Sequence, residues 1–316
     1  MTNPDQEASD QAYLNDEIDL KELFTVLWDG KLVVLILTSL AALVSVMVAM
    51  SLPNIYTANA LLAPADDADS GMGSYLNQYS GIASLAGVSL PGGGESSKAG
   101  LAIELMQSRS FIGDFVEKRG LLPDLMAVKE WNSISNLLSY DETLYDAQSQ
   151  TWVREVPPPN KPKPSRLQAH GAFSNHLSIS LDKETGFVSV NFDHPSPFVA
   201  ANWVKWLIDD VNETMRAQDI AEATRATLYL RDQVEQTSSK DIQALLFELI
   251  QRQTETAMLA EVRSEYVFKT IDPAVVPEVK SKPNRALICV LGMLLGGMLG
   301  VVIVLIQHYA RSESEA

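Results

Sequence analysis

Residues 286–306 form an apolar run of 21 residues without a charge, and no other feature restricts the fold so strongly. As a helix at about 1.5 Å per residue this run is roughly 31 Å long, the thickness of the hydrocarbon core of a bilayer. Residues 32–52 repeat the pattern, again without a charge. About a dozen Leu, Ile and Val at roughly −0.3 to −0.6 kcal/mol each favour insertion there by about 4 to 7 kcal/mol. Two transmembrane helices are therefore expected, with about 230 residues between them, enough for a real core. Pro273, Pro277 and Pro283 precede the second run; each fixes φ and removes a donor, so residues 271–282 are expected to be a stiff, extended connector.

A cleaved signal peptide is the rival reading of residues 32–52, because Ala58-Asn59-Ala60 supplies a cleavage-like pattern. The leader is acidic where a basic one is required, and the apolar run exceeds the usual length, so a retained span is the better reading. Lys21 and Lys31 precede the first span and no Lys or Arg follows until Lys98, which places the N-terminus in the cytoplasm. Lys280, Lys282 and Arg285 before the second span, against Arg311 after it, point the other way. Since the first span usually dominates, both termini are expected inside and the middle region outside.

The formal net charge of −16 disfavours nucleic acid and anionic lipid surfaces as partners. The single cysteine, Cys289, lies in the second apolar run and reads as a packing residue, leaving no disulfide or thiolate metal site.

In chain order, residues 1–15 are polar and expected to be disordered. From Asp16, a candidate cap, Leu20, Leu23, Phe24 and Leu27 follow helical spacing and predict a short amphipathic helix on the membrane, closed by Trp28 and Gly30. Residues 54–62 alternate as a strand. The run Gly92-Gly93-Gly94-Glu95-Ser96-Ser97-Lys98 lacks the Gly-Lys-Ser/Thr ending of a phosphate loop and reads as a linker. One core-packing helix is expected over 99–119, ended by Gly120 and Pro123, with further short helices over 124–145. The proline-rich residues 157–164 suggest a polyproline spacer. Residues 176–181 and 187–192 alternate around the turn-forming Asp182-Lys183-Glu184-Thr185-Gly186 and predict an antiparallel hairpin. With a last strand at 266–271, a sheet of about four strands results.

The longest element begins at Ser196-Pro197, a cap followed by a first-turn proline. Val204, Ile208, Val211 and Met215 carry it forward, and some forty residues give a rod of roughly 60 Å, closed at Thr237-Ser238-Ser239. Asp241 is placed to cap a returning helix, so a helical hairpin over about 197–265 is expected. Such a rod exposes more apolar surface than its partner can cover, which predicts a homo-oligomer.

Chemistry is sparse. His170, His176, His194 and His308 have no partner at metal-ligand spacing and read as surface or turn residues; no catalytic constellation, cofactor site or metal site is predicted. Asp209 and Asp210 suggest a solvated helix face, and the sequon Asn212-Glu213-Thr214 sits inside a helix, a poor acceptor. Gly292, Gly296 and Gly300 form two overlapping G-x-x-x-G repeats, which let another helix approach closely and predict packing against the first span.

Ile18-Asp19-Leu20 with Leu27-Trp28 and Lys31, Ser108-Arg109-Ser110-Phe111, His194-Pro195-Ser196-Pro197, and Tyr266 through Ile271-Asp272-Pro273 with Pro277 and Lys282-Pro283 stand in a familiar order. Over nearly the whole chain beyond residue 16 it resembles the Wzz-type O-antigen chain-length determinants, the polysaccharide co-polymerases of the bacterial inner membrane. The resemblance implies an α/β membrane-proximal base domain with a long helical protrusion and two transmembrane helices, assembled as a homo-oligomeric, octameric ring. It further implies a non-catalytic regulator of modal chain length that works with a Wzy-type polymerase on undecaprenyl-linked polysaccharide. With no Walker sequence after residue 306, the chain is expected in the kinase-free group. The expected organisation is a cytoplasmic tail with an interfacial helix (1–30), a span (31–52), a periplasmic domain (53–285), a second span (286–306) and a cytoplasmic tail (307–316).

Two readings of other classes compete. A two-span envelope sensor would need a cytoplasmic output domain, for which neither tail leaves room. An extracytoplasmic glycan-processing enzyme rests on unassigned acids such as Asp182, Glu184 and Asp193.

Overall fold

The computed structural model describes residues 20–65 and 98–315. The disorder expected at 1–15, the Asp16 cap and nearly all of the glycine-rich linker ending at Lys98 lie outside the described residues. The chain divides into two compact units, one comprising Met1–Pro53 with Lys282–Ala316 and the other Asn54–Ser281.

The first elements are α1 (Leu20–Asp29) and α2 (Lys31–Ser51), separated only by Gly30, whose φ of −84° and ψ of 5° let the chain re-enter a helix at once. The second unit then runs β1 (Tyr56–Pro64), α3 (Lys98–Gln107), α4 (Arg109–Arg119), α5 (Leu122–Met126), β2 (Val128–Asn132), β3 (Leu137–Tyr140), β4 (Tyr145–Asp146) and β5 (Thr151–Trp152). It continues with α6 (Arg166–His176), β6 (Leu177–Leu181), β7 (Val188–His194), α7 (Pro197–Gln236), α8 (Lys240–Val262) and β8 (Phe268–Asp272). The last helix, α9 (Arg285–Glu315), continues well beyond the apolar run at 286–306.

An antiparallel sheet in the order β6-β7-β1-β8 is the floor of the second unit. Its register sets Tyr56 opposite His194, Leu62 opposite Val188 and Leu177 opposite Phe192. Because side chains alternate along a strand, Ala58, Ala60 and Leu62 share one face with Val188, Val190 and Phe192, and all six are buried. The other face is polar: Thr57 Oγ1 donates to Asp193 Oδ1 at 2.5 Å and Asn59 Nδ2 to Asn191 Oδ1 at 2.5 Å. On the apolar face lie α7, through Trp203, Val204, Leu207 and Val211, and α4 and α6, through Ile112, Phe115 and Phe173. Phe173 stacks on Trp203 with centroids 5.9 Å apart and meets Phe192 at 4.8 Å. Each of these large side chains stabilises the two-layer core by roughly 1.5–3 kcal/mol.

Several elements depart from expectation. The helix expected over 99–119 is two helices, because Ser108 is extended (φ −72°, ψ 147°) and its side chain accepts from Phe111 N–H, capping α4. Gly120 ends α4 at φ 64°, a left-handed conformation that glycine adopts without a Cβ penalty. The short helices expected over 124–145 are mostly strands, β2 and β3, joined by a turn in which Asn132 Oδ1 accepts from Ile134 and Ser135 N–H and Asn136 takes φ 53°. The proline-rich stretch is not an extended spacer: Asn160 N–H closes a turn on Pro157 O, and Arg154 donates to Pro162 O at 2.5 Å and Lys161 O at 3.1 Å. Asp241 lies in the first turn of α8, where an acid suits the helix dipole, while Ser239 holds the cap position.

Candidate functional site

Three features concentrate structure that a simple α/β domain would not need: the helical hairpin, the polar anchors at its root, and the paired apolar helices.

The hairpin comes first. Ser196 caps α7 by accepting from Val199 N–H, and Pro197 opens the helix, as the sequence predicts. Forty residues follow, about 60 Å. Its first half is buried on the sheet as far as Met215; beyond that only Ala223 is buried, and in all of α8 only Ala260. Leu228, Tyr229, Leu245, Phe247, Met258 and Val262 are exposed, several by more than half, which is an open apolar surface on helices that carry few packing residues between them.

The root of α7 holds three buried or half-buried polar contacts. Asn212, 5% exposed, accepts at Oδ1 from Val267 and Phe268 N–H, both at 2.9 Å, and donates from Nδ2 to Phe268 O at 3.0 Å, locking β8 to the helix. The sequon asparagine is therefore fully engaged inside the fold. Asp210 is not on a solvated face: it takes a two-pronged ion pair from Arg119, one prong at 2.7 Å, while the guanidinium lies over Phe115 and Trp206. That bond raises the Arg119 pKa further above its ordinary value. Tyr266 donates to Asp219 Oδ2 at 2.5 Å, and Lys98 Nζ sits 3.1 Å from the same oxygen. Burial works against the Lys98 charge, yet the bonds to Asp219 and Tyr266 prevail and raise its pKa.

His194 is a correction. It is 3% exposed, between β7 and α7, with its ring 5.4 Å from Trp203. Nδ1 accepts from Ser196 N–H at 3.0 Å, so the proton sits on Nε2, which donates to Asp124 O at 2.9 Å. Burial lowers its pKa below the ordinary value of about 6.5. The unfolded chain then takes up a proton before the folded one, and stability falls as pH drops below about 6.5. Thermal unfolding of the detergent-solubilised protein between pH 8 and pH 5 should show this decline, and His194→Gln should flatten it; an unchanged slope in the variant would remove His194 as its source.

The acids offered for glycan processing are not brought together. Asp182 and Glu184 lie in the turn between β6 and β7, while Asp193 lies at the far end of β7, about 17 Å along the strand from Val188. Carboxyl pairs in glycosidases stand about 5–9.5 Å apart and need one raised pKa. The Glu184 N–H instead holds Asp182 below the usual carboxylate range. Among the described residues no group of three His, Cys, Asp or Glu side chains is placed to hold a metal ion.

The apolar helices pair antiparallel within their own unit. A Cβ added at Gly292 would run into the Ser45 side chain; at Gly296 it would run into the Ala41 side chain and stand 3.2 Å from Thr38 Cα; at Gly300 it would stand 2.9 Å from Val34 Cα. The stripe continues to Val304, which is buried against Gly30. Glycine is thus the residue that fits at each of these close approaches. Away from the seam, Leu32, Leu35, Ile36, Met47, Leu294, Leu295 and Leu299 are more than half exposed. Both helices are long and apolar enough to cross a membrane, and most of each lies unburied, unlike the core helix of a soluble protein. Of the three prolines, Pro273 and Pro277 follow β8 in the larger unit and Pro283 precedes α9 in the other, in a stretch without helix.

The class these features define is a two-span α/β protein with a long helical arm. Residues 16–118 match the family profile of the Wzz chain length determinant protein, and residues 232–309 match that of the G-rich domain on putative tyrosine kinase. The chain thus carries a Wzz chain length determinant domain over its first third and, towards its other end, the G-rich domain of the second profile. Among solved structures, a full-length bacterial polysaccharide co-polymerase aligns over 94% of this chain and 99% of its own at 16% identity and a TM-score of 0.36. A fragment of WzzB, the polysaccharide co-polymerase of Salmonella Typhimurium, aligns over 72% of this chain and 100% of its own at 12% identity and a TM-score of 0.28. No curated protein matches the sequence.

Proposed function

We propose that this chain is an oligomeric, non-catalytic co-polymerase that sets the modal length of O-antigen or a related surface polysaccharide. It acts by contact with a Wzy-type polymerase while that enzyme extends an undecaprenyl-linked chain. In this reading α2 and α9 cross the bacterial inner membrane with both termini in the cytoplasm, and Asn54–Ser281 is periplasmic. Support comes from the antiparallel pairing of α2 and α9, which sets the ends leading into Asn54–Ser281 on one side of the membrane.

The observation that carries the oligomeric part is the open apolar surface of α7 and α8, with Tyr229, Leu245 and Phe247 exposed along helices that bury only Ala223 and Ala260 beyond Met215. Neighbouring copies cover such a surface at the lowest cost, and a closed ring, octameric by family resemblance, leaves no copy with an uncovered flank. Deleting the gene should leave polymer synthesis intact while the modal cluster on a polysaccharide gel spreads into a broad distribution. An unchanged ladder would overturn the regulatory role, and a particle mass equal to one subunit would overturn the assembly.

A further inference from the structure

The larger unit ends, where its chain leaves for the two apolar helices, in a rim of exposed apolar side chains. Tyr56 stands five residues beyond Ser51, the last residue of α2, and five residues of chain span at most about 18 Å whatever arrangement the two units take. Ser281 stands four residues before Arg285, a reach of at most about 14 Å. The two exits are held side by side: Ser281 N–H donates to Ile55 O at 2.9 Å and Lys280 Nζ to Asn54 Oδ1 at 3.2 Å.

Against this corner packs the β2–β3 hairpin. The Trp131 ring meets Tyr56 edge to face at 5.6 Å and Phe198 at 6.2 Å, and Trp131 Nε1–H donates to Asn136 Oδ1 at 2.9 Å. At the hairpin tip Ile134 is 97% exposed, held outward by the two N–H bonds to Asn132. Leu137 (66%), Phe198 (43%) and Val279 (76%) are exposed beside it or at the neighbouring exit. The hairpin is not loose: Tyr140 OH donates to Asp124 Oδ1 at 2.6 Å, and Asp141 N–H to Ala127 O at 2.8 Å. Water is a poor neighbour for an ordered isoleucine at a tip, and tryptophan with a satisfied N–H suits the boundary between headgroups and acyl chains.

We infer that the rim formed by Trp131, Ile134, Phe198 and Val279 rests in the headgroup layer of the bilayer that α2 and α9 cross, with Ile134 inserted deepest. This rests on the proposed membrane reading. Residues 128–140 carry one lysine and one glutamate and Val279 lies between Glu278 and Lys280, so the charges beside the rim balance, and the contact is apolar rather than Coulombic and needs no anionic lipid. The contact would fix the height and tilt of the base on the membrane.

The test uses the full chain in phosphatidylcholine vesicles containing lipids with a doxyl quencher near the headgroup. A bimane label goes on Ile134→Cys or, as a control on the arm, Glu255→Cys, each in a Cys289→Ser background; native Cys289 carries the label in a third sample. Ile134→Cys emission should fall roughly twofold, as for a side chain about 5–10 Å into the interface, with Glu255→Cys unaffected and no change in 0.5 M salt. Quenching at Cys289 without quenching at Ile134→Cys would overturn the inference while leaving the spans in place. Absence of quenching at Cys289 would overturn both.

Discussion

Asn212→Ala is expected to destabilise the α/β body strongly for the loss of a single polar side chain. The variant would strand Val267 N–H, Phe268 N–H and Phe268 O in a site where Asn212 is 5% exposed. A buried backbone group left without a partner costs about 1–3 kcal/mol, so three amount to about 3 kcal/mol or more, even with some relaxation of β8. For a body of this size that corresponds to a fall of roughly 6–12 °C in unfolding temperature. β8 pairs with β1 only over a few residues beyond a bulge between Leu61 and Leu62, so the helix-to-strand lock is its main second support. The adjacent substitution Glu213→Ala removes only an exposed i,i+3 pair with Arg216 and should shift stability by less than about 0.5 kcal/mol. Equal melting of the two variants would show that Asn212 does not hold β8.

That asparagine shows where reading a sequence stops. The bounds of α7 are legible because Ser196-Pro197 and the polar Thr237-Ser238-Ser239 act locally, through caps that need no distant partner. The β6–β7 hairpin is legible for the same reason, with turn residues between two alternating runs. Asn212, His194 and Asp210 are not, since each is defined by partners far along the chain: backbone groups of Phe268 and Asp124, and the guanidinium of Arg119. Composition places such residues on surfaces by default, and only the fold brings the compensating donors. The break at Ser108 is hidden in the sequence because the apolar spacing continues across it, and β2–β3 is hidden because its short strands depend on packing against Tyr56 and Phe198. The seam glycines were readable as a motif, whereas the residues they meet on α2 depend on helix rotation, which periodicity alone does not set.

The seam supports the prediction with the largest expected effect on function. Gly296→Leu places four carbons where even one meets the Ala41 side chain and crowds Thr38 Cα and Leu37 O, at 3.2 and 3.3 Å. Because two of these neighbours are backbone, side-chain rearrangement cannot make room, and α9 must move off α2. Overpacking of this kind costs about 1–3 kcal/mol, comparable to the whole interaction between two membrane helices. The next residue supplies the control: at Gly297 an added Cβ finds only Thr38 Oγ1, at an ordinary 3.6 Å. Gly296→Leu should therefore shift or broaden the modal polymer length while the α/β body keeps its wild-type melting, and Gly297→Leu should leave the gel pattern as it was. Gly296→Ala, with one added carbon, should fall between them. If span packing transmits the regulator's state to the polymerase, this order follows from three distances in one seam. Equal patterns for Gly296→Leu and Gly297→Leu would sever seam geometry from chain length, leaving α2 and α9 as anchors alone.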